Sequence, residues 1–176
     1  VIPSSCQKVQ LVVNGMSYAS RSGENANSAL LVQINDSDYG NELFAGLKYQ
    51  EELERKAFLM GQDYKACVQL AKDYLAHRVS KQFESVVPTY SIGTTFCDLN
   101  DLFSDEVNLA LHEALKHFEM KVPGFVSSGA ILSAVESRSS SSVRLVRDKE
   151  SYISNIQGIY TSGEGIGYAG CILHCA

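Results

Sequence analysis

The sequence predicts an α+β fold, with mixed strands at both ends of the chain and a helical segment between them. Apolar runs of strand length occur before residue 43 and after residue 125, whereas apolar residues recur at steps of three and four in between. This order of strands, helices and strands is typical of α+β domains rather than of alternating βαβ units. The 176 residues, 45% of them apolar, predict one domain over residues 1–176, because a chain of this size buries about 70% of its unfolded surface.

The first third of the chain predicts strands. An Asn14-Gly15 pair lies among apolar residues in the stretch 11–18, and it predicts a two-residue hairpin turn because both turn positions need a positive φ. Residues 29–34 form a second apolar run with β-branched residues. The polar residues 35–38 are expected to end that strand as a turn.

The helical segment, residues 43–125, contains three predicted helices. Two follow from apolar residues at helical spacing, one through residues 53–60 and one through residues 68–79. The clearest begins at Ser104, a good N-cap, with two acidic residues in the first turn, where the helix dipole favours anions. A Pro-Gly pair ends that helix.

Strands are predicted again after residue 125, at residues 130–135, 143–146 and 156–160. A serine-rich stretch over residues 138–142 separates the first two and predicts a polar loop. A short helix is expected over residues 171–176.

Composition and charge exclude several classes of protein. A net charge of −5, a pI near 5.3 and scattered Lys and Arg leave no basic stripe for nucleic acid. The sequence contains no apolar run long enough for a membrane span and no signal-peptide pattern at its start. Five widely spaced cysteines, an odd number, favour a protein whose thiols are reduced, as in intracellular compartments. The protein is therefore expected to be intracellular, and it is expected to be soluble.

No metal site and no catalytic residue can be assigned from spacing. Cys171, His174 and Cys175 supply three ligands from one short stretch, whereas structural zinc sites normally need four. His112 and His117 are five residues apart, which separates them by about 140° around a helix, so a zincin site is excluded. Both histidines are predicted to lie on the solvated flank of their helix.

The most informative segment is the glycine-rich end, residues 158–170. The pattern Gly165-x-Gly167-x-x-Gly170 matches the dinucleotide fingerprint, but a full Rossmann motif needs a βαβ unit with an acidic residue about 20 positions further on. Two interpretations stay open. In one, the glycines let the backbone approach a ligand, and Glu164 accepts hydrogen bonds from its hydroxyl groups. In the other, the segment is a glycine-rich turn between a strand and a helix.

Three stretches of the chain together resemble a family of proteins. They agree in order and spacing with the C-terminal portion of the uncharacterised FAD-dependent dehydrogenases of bacteria and plant plastids. The resemblance implies the C-terminal part of an FAD/NAD(P)-binding flavoprotein fold, with FAD as cofactor and an N-terminal Rossmann half that is expected to be missing here. The stretches are Gly158-Ile159-Tyr160-x-x-Gly163-Glu164-Gly165-x-Gly167-Tyr168-Ala169-Gly170, the run of residues 135–144, and residues 14–18 with 25–32.

The resemblance also implies roles for individual residues. Glu164 is expected to contact the ribityl chain of FAD, and residues 163–170 to lead into a helix that faces the pyrophosphate or the flavin ring. The loop from Arg138 to Arg144 is expected near the cofactor or the substrate cavity, where guanidinium groups offer forked donors to an anion. The alternative for these arginines is a surface ion pair. The expected cofactor-binding residues are Gly163, Glu164, Gly165, Gly167, Tyr168, Ala169, Gly170, Arg138 and Arg144.

The chain departs from the family pattern at a few positions. Ile166 and Cys171 stand where smaller residues are usual, so they are expected to crowd a cofactor. Ser142 replaces a proline, and residues 91–95 lack an expected basic residue.

Two functional hypotheses follow from the resemblance. In the first, the chain is the C-terminal part of an FAD-dependent oxidoreductase, binding FAD together with the missing N-terminal half and shaping the cavity for an unknown small-molecule substrate. The alternative is a truncated, non-catalytic interaction module of the same fold that no longer binds FAD. A plastid location follows only if the protein is from a plant.

Overall fold

The structure, a computed structural model, describes residues 1–4, 6–126 and 129–168. Over these ranges the chain is α+β, with two small sheets and four α-helices, so the predicted fold class is confirmed at this level. The chain divides into two compact units. Unit 1 comprises Val1–Gln33 and Glu52–Ser137, and unit 2 comprises Ile34–Glu51 and Arg138–Ala176.

Both sheets lie in unit 1. The smaller pairs β1 (Ile2–Pro3) with β2 (Val13–Asn14) antiparallel. In the larger, β3 (Ala66–Leu70) is the central strand, parallel to β4 (Thr94–Phe96) and antiparallel to β5 (Ile131–Ala134). All five residues of β3 are buried, as expected of a strand covered on both faces.

The helices differ in length. The two long ones are α2 (Ala45–Gly61) and α4 (Asp105–Lys121), while α1 (Asp36–Tyr39) and α3 (Ala71–Leu75) are short. The hydroxyl of Ser104 accepts a hydrogen bond from the Val107 N–H, so the predicted N-cap of α4 is confirmed. The helix predicted through residues 53–60 is confirmed as part of α2. Among the described residues, no helix is long and apolar enough to cross a membrane.

The hydrophobic core belongs to unit 1. Its side chains come from the strands of the larger sheet and from α2, α3 and α4, and they pack around Tyr74 and Leu115, each 1% exposed. Val13 of the smaller sheet and Leu11, two residues earlier, also belong to the core, and the Val13 N–H donates to the Val135 carbonyl at 2.9 Å. Burial of these apolar groups is the main term that stabilises unit 1.

The helix predicted over residues 68–79 is wrong at its start. Residues 66–70 are β3, and only Ala71–Leu75 is helical. Because β3 is buried on both faces, it has no alternation of polar and apolar residues. A short apolar run of this kind cannot be distinguished from a buried helix by its period.

Several predicted strands are also wrong. Asn14 is the last residue of β2 and pairs with Ile2 of β1. The chain therefore does not form a hairpin at Asn14-Gly15. Residues 29–34 are not in a strand, and the predicted turn that follows contains α1, where the Asp38 carboxylate accepts from the Asn35 N–H at 2.7 Å. In the described ranges after β5, residues 143–146 form no strand, and residues 156–160 take part in one isolated bridge. These runs have the composition of strands but no neighbouring strand to pair with.

The strand predicted at residues 130–135 is confirmed as β5. The helix predicted at residues 171–176 lies outside the described residues.

Candidate functional site

The glycine-rich end forms a single turn of 3₁₀ helix, Glu164–Ile166, between two glycines in the left-handed region. Gly163 has φ +98° and Gly167 has φ +79°, conformations that side-chain-bearing residues rarely adopt. The Gly167 N–H closes the turn by donating to the Glu164 carbonyl at 3.0 Å. We call residues 163–167 the glycine turn.

The glycine turn docks on residues 138–147, which we call the arginine loop. The Leu145 N–H donates to the Ile166 carbonyl at 3.1 Å, and Arg144 Nε donates to the Gly167 carbonyl at 3.0 Å. A Cβ added at Gly167 would lie 2.5 Å from the Val143 carbonyl oxygen. Glycine is therefore required at residue 167 by a contact inside unit 2, independently of any ligand.

The other two glycines of the turn leave space around the backbone. A Cβ added at Gly163 or Gly165 would meet none of the described atoms within 4 Å. The Gly165 carbonyl accepts from the Ser141 hydroxyl at 3.1 Å, which holds the turn against the arginine loop. Ile166 is only 7% exposed. Its side chain therefore packs inside unit 2, and whether it crowds a cofactor stays a prediction.

Two arginines of the loop stack on Tyr168. The Cζ atoms of Arg144 and Arg147 lie 5.0 and 4.6 Å from the centre of the Tyr168 ring. Arg147 also lies 4.7 Å from the ring centre of Tyr152, and its Nη1 donates to the Thr161 carbonyl at 2.8 Å. These cation–π contacts fix the planar guanidinium groups in place.

The structure brings together most of the residues predicted to bind the cofactor. The glycine turn, Tyr168 and Arg144 contact one another, and Arg138 is half-buried at the start of the arginine loop. Ala169 and Gly170 lie outside the described residues. Sequence reasoning missed Arg147, Tyr152 and Thr161, although the clustering of arginines over residues 138–147 was a usable signal. That these residues bind a cofactor stays a prediction.

Unit 1 contains a separate cluster of buried polar side chains that the sequence did not predict. The Asp73 carboxylate accepts from Arg78 Nε at 2.6 Å and from the Ser80 hydroxyl at 2.7 Å, and Ser80 in turn accepts from the Leu70 N–H at 2.8 Å. Burial acts to raise the pKa of Asp73, but the hydrogen bonds from Ser80 and Arg78 outweigh it and lower the pKa. The cluster therefore holds the turn after α3 against the end of β3.

His112 is also buried in unit 1, which corrects the prediction that it lies on a solvated flank. It is 8% exposed and lies edge-on to Tyr74, with ring centres 4.5 Å apart. Its Nε2 is 3.0 Å from Asn100 Oδ1. Because the Asn100 amide nitrogen donates to the Tyr74 carbonyl and to Asp98, its oxygen is the acceptor and His112 Nε2 is the donor. His117 is exposed, as predicted.

The stability of the chain is expected to fall in mild acid because of His112. Burial lowers the pKa of His112, and electrostatic interactions with the neighbouring His77 and Lys116 lower it further. The unfolded chain takes up a proton at this residue below a pH of about 6.5, whereas the folded chain does so only at a lower pH, so the free energy of unfolding decreases as the pH falls through that window.

The check is urea unfolding between pH 7.5 and 5.0. The His112→Gln variant should show a weaker pH dependence than the unsubstituted chain, whereas the exposed control His117→Gln should resemble the unsubstituted chain. Equal slopes in all three proteins would show that His112 is not the responsible group.

A pair of thiols lies in the core of unit 1. The Sγ atoms of Cys67, in β3, and Cys97, the residue after β4, are 3.0 Å apart, and both residues are buried. The hydrogen bond with Cys97 and burial raise the pKa of Cys67. Over the described ranges, no group of three or more His, Cys, Asp or Glu side chains is placed to hold a metal ion.

Comparison with protein families identifies the relationship of the chain. A model of the family described as FAD-dependent protein, C-terminal domain-like, matches residues 1–139. The chain belongs to this family. The resemblance inferred from the sequence is thereby confirmed. The matched range of this FAD-dependent C-terminal domain-like chain includes unit 1 and Arg138, and it ends before Arg144 and the glycine turn.

One relative matches the chain over its whole length. An uncharacterized protein of Clostridium beijerinckii is 39% identical over 178 residues, which cover 100% of this chain and 33% of the relative. The alignment therefore includes the arginine loop and the glycine turn. This FAD-dependent C-terminal domain-like chain spans about a third of the length of the curated relative that it matches.

Proposed function

We propose that the chain is the C-terminal part of an FAD-dependent oxidoreductase, in which the glycine turn and the arginine loop form one wall of the flavin site. FAD supplies the redox chemistry when it is bound. This chain contributes backbone that a ligand can approach, polar groups that orient it, and part of the cavity for a small-molecule substrate.

The observation that carries the proposal is the open backbone at Gly163 and Gly165 beside Arg144. A ligand can approach the main chain most closely where no Cβ and no neighbouring atom intervenes, and both glycines meet that condition within the described residues. Membership of a family named for FAD dependence and the coverage of one third of a longer relative support the same reading. The residues present fit the cofactor, with Glu164 half-buried in the turn and able to accept from ribityl hydroxyl groups.

The test is FAD binding by a chimera in which this chain replaces the matching segment of the Clostridium beijerinckii relative. Flavin fluorescence is titrated for the chimera and for two glycine variants. Gly165→Ala adds one methyl group in open space, so it is expected to leave the fold intact and to weaken FAD binding about tenfold, or about 1.4 kcal/mol. Glu164→Gln keeps the size of the side chain but removes its charge, and it is expected to weaken binding severalfold.

The control is Gly23→Ala in unit 1, where an added Cβ makes only ordinary contacts at 3.8 Å. It should bind FAD as the unsubstituted chimera does. A folded chimera that binds no FAD, or one in which Gly165→Ala and Gly23→Ala bind equally well, would contradict the proposal. Absence of FAD binding would favour the alternative, a non-catalytic interaction module.

A further inference from the structure

Two positive charges are held on one aromatic ring in unit 2. Arg144 and Arg147 lie 5.0 and 4.6 Å from the centre of the Tyr168 ring. Their guanidinium groups are therefore no further apart than the sum of those distances, which is comparable with the screening length at physiological salt, about 8 Å. Like charges at such a separation repel each other unless an anion lies near them.

No carboxylate of the described residues forms an ion pair with either arginine. The nearest in sequence, Asp148, accepts instead from the backbone N–H groups of Glu150 and Ser151 and from the Ser151 hydroxyl. These hydrogen bonds hold the Asp148 carboxylate against Glu150 and Ser151 of the same loop. Neither arginine of the pair therefore has an ion-paired carboxylate in the described part of unit 2.

Most hydrogen-bond donors of the two guanidinium groups are available. In the described residues, Arg144 uses Nε for the Gly167 carbonyl and Arg147 uses Nη1 for the Thr161 carbonyl. Each guanidinium group has five N–H donors in a planar fork that suits the oxygens of phosphate or carboxylate. Stacking on Tyr168 orients these forks before any ligand arrives, which reduces the entropy lost on binding.

A second, independent observation comes from Thr161. Its hydroxyl oxygen is buried and has no hydrogen-bond partner among residues 1–4, 6–126 and 129–168. Buried hydroxyl groups are normally paired, so an unpaired one calls for a ligand or a water molecule. The Thr161 carbonyl accepts a hydrogen bond from Arg147 Nη1, so Thr161 is a direct neighbour of one arginine of the pair.

We propose that Arg144, Arg147 and Thr161 around Tyr168 form a binding site for a phosphate group. A terminal phosphate carries about 1.5 to 2 negative charges at neutral pH, and every phosphate group has several acceptor oxygens, so it matches two forks and a hydroxyl better than a single carboxylate does. The phosphate comes either from the pyrophosphate of a nucleotide or from a phosphorylated small molecule. The site does not depend on the proposed function, because it can be occupied with no flavin present.

The test is isothermal titration of inorganic phosphate into the full chain at low ionic strength, with pyrophosphate, ADP and acetate as comparison ligands. We expect saturable binding of phosphate and much weaker binding of acetate. Tighter binding of ADP or pyrophosphate than of phosphate would identify the nucleotide as the source, and binding of phosphate alone would identify a phosphorylated small molecule. No saturable binding of any of the phosphates would overturn the proposal.

Four substitutions distinguish binding at these particular residues from a general attraction of phosphate to positive charge. Arg147→Gln is expected to weaken phosphate binding at least tenfold, and Thr161→Val severalfold with little effect on folding. The control Arg55→Gln removes the same charge from an exposed position on α2 and should leave binding unchanged. Equal losses for Arg147→Gln and Arg55→Gln would overturn the proposal. If the Arg147→Gln variant does not fold, phosphate binding by Thr161→Val and by the exposed Arg144→Gln is compared with the control instead.

The two proposals fail in different ways. If the chimera does not bind FAD but the chain binds phosphate, the proposed flavin-binding role is contradicted and the phosphate site is supported. If the chain does not bind phosphate but the chimera binds FAD in a way that is sensitive to Gly165→Ala, the phosphate site is contradicted and the flavin-binding role is supported.

Discussion

Replacing Gln69 with glutamate is expected to lower the free energy of unfolding by about 3 kcal/mol, because a buried amide would become an unpaired carboxylate. Gln69 is fully buried in the centre of β3. Its Nε2 donates to the Arg78 carbonyl at 2.9 Å, and its Oε1 accepts from the Leu99 N–H at 2.7 Å. An ionised glutamate keeps the acceptor but has no donor, so the Arg78 carbonyl loses its partner. The new charge would also face Asp98, whose Oδ1 lies 3.4 Å from Nε2.

The measurement is urea unfolding at pH 7, with Gln82→Glu as the matched control. Gln82 is exposed, so the same change there should stay within about 0.5 kcal/mol of the unsubstituted chain. Because a protonated glutamate can donate a hydrogen bond, part of the loss at residue 69 should be recovered at pH 5 relative to the control. Similar stabilities for the two variants would mean that Gln69 is not held as the structure shows.

Replacing Gly167 with alanine is expected to detach the glycine turn from the arginine loop. The left-handed backbone costs a side-chain-bearing residue about 1–2 kcal/mol, and the added Cβ would lie 2.5 Å from the Val143 carbonyl oxygen. That oxygen belongs to the main chain, so it cannot move aside as a flexible side chain would. The hydrogen bond from the Leu145 N–H to the Ile166 carbonyl is expected to break in the variant.

Hydrogen exchange at the Leu145 amide reports this detachment directly. Gly167→Ala should speed exchange at least tenfold, whereas Gly165→Ala, two positions earlier and in open space, should leave it unchanged. Protection of Leu145 that survives in Gly167→Ala would contradict the docking of the turn. The same contrast shows why Gly165 is the informative position for ligand binding, since a substitution at Gly167 damages the site whether or not a ligand binds there.

Local signals in the sequence were enough for the long helices. Ser104 followed by two acidic residues predicts the start of α4, and the structure confirms it, because an N-cap acts through hydrogen bonds within one turn. The apolar spacing over residues 53–60 predicts part of α2 for a similar reason. Family membership was also predictable, since motifs in order and spacing survive in the sequence itself.

The small strands depended on partners distant in sequence. Residues 29–34 and 143–146 have the composition of strands, yet neither run is in a strand. The run at 66–70 becomes the central strand because β4 and β5 pair with it on either side. Strand composition expresses how well side chains fit a sheet, and whether a sheet exists at that place is decided by the tertiary structure.

The sequence by itself determined the α+β class, α4, part of α2 and the family, because each of these rests on local patterns or on motifs. It also predicted several of the residues that the structure brings together in unit 2. Only the tertiary structure decided that the glycine turn docks on the arginine loop, that Arg147 joins Arg144 on Tyr168, and that His112 is buried. Each of these depends on contacts between segments that are far apart in the chain, such as Arg144 and Gly167, which are 23 positions apart. Local periodicity in the sequence does not show which distant segments pack together. That is determined by the free energy of their packing in the folded chain.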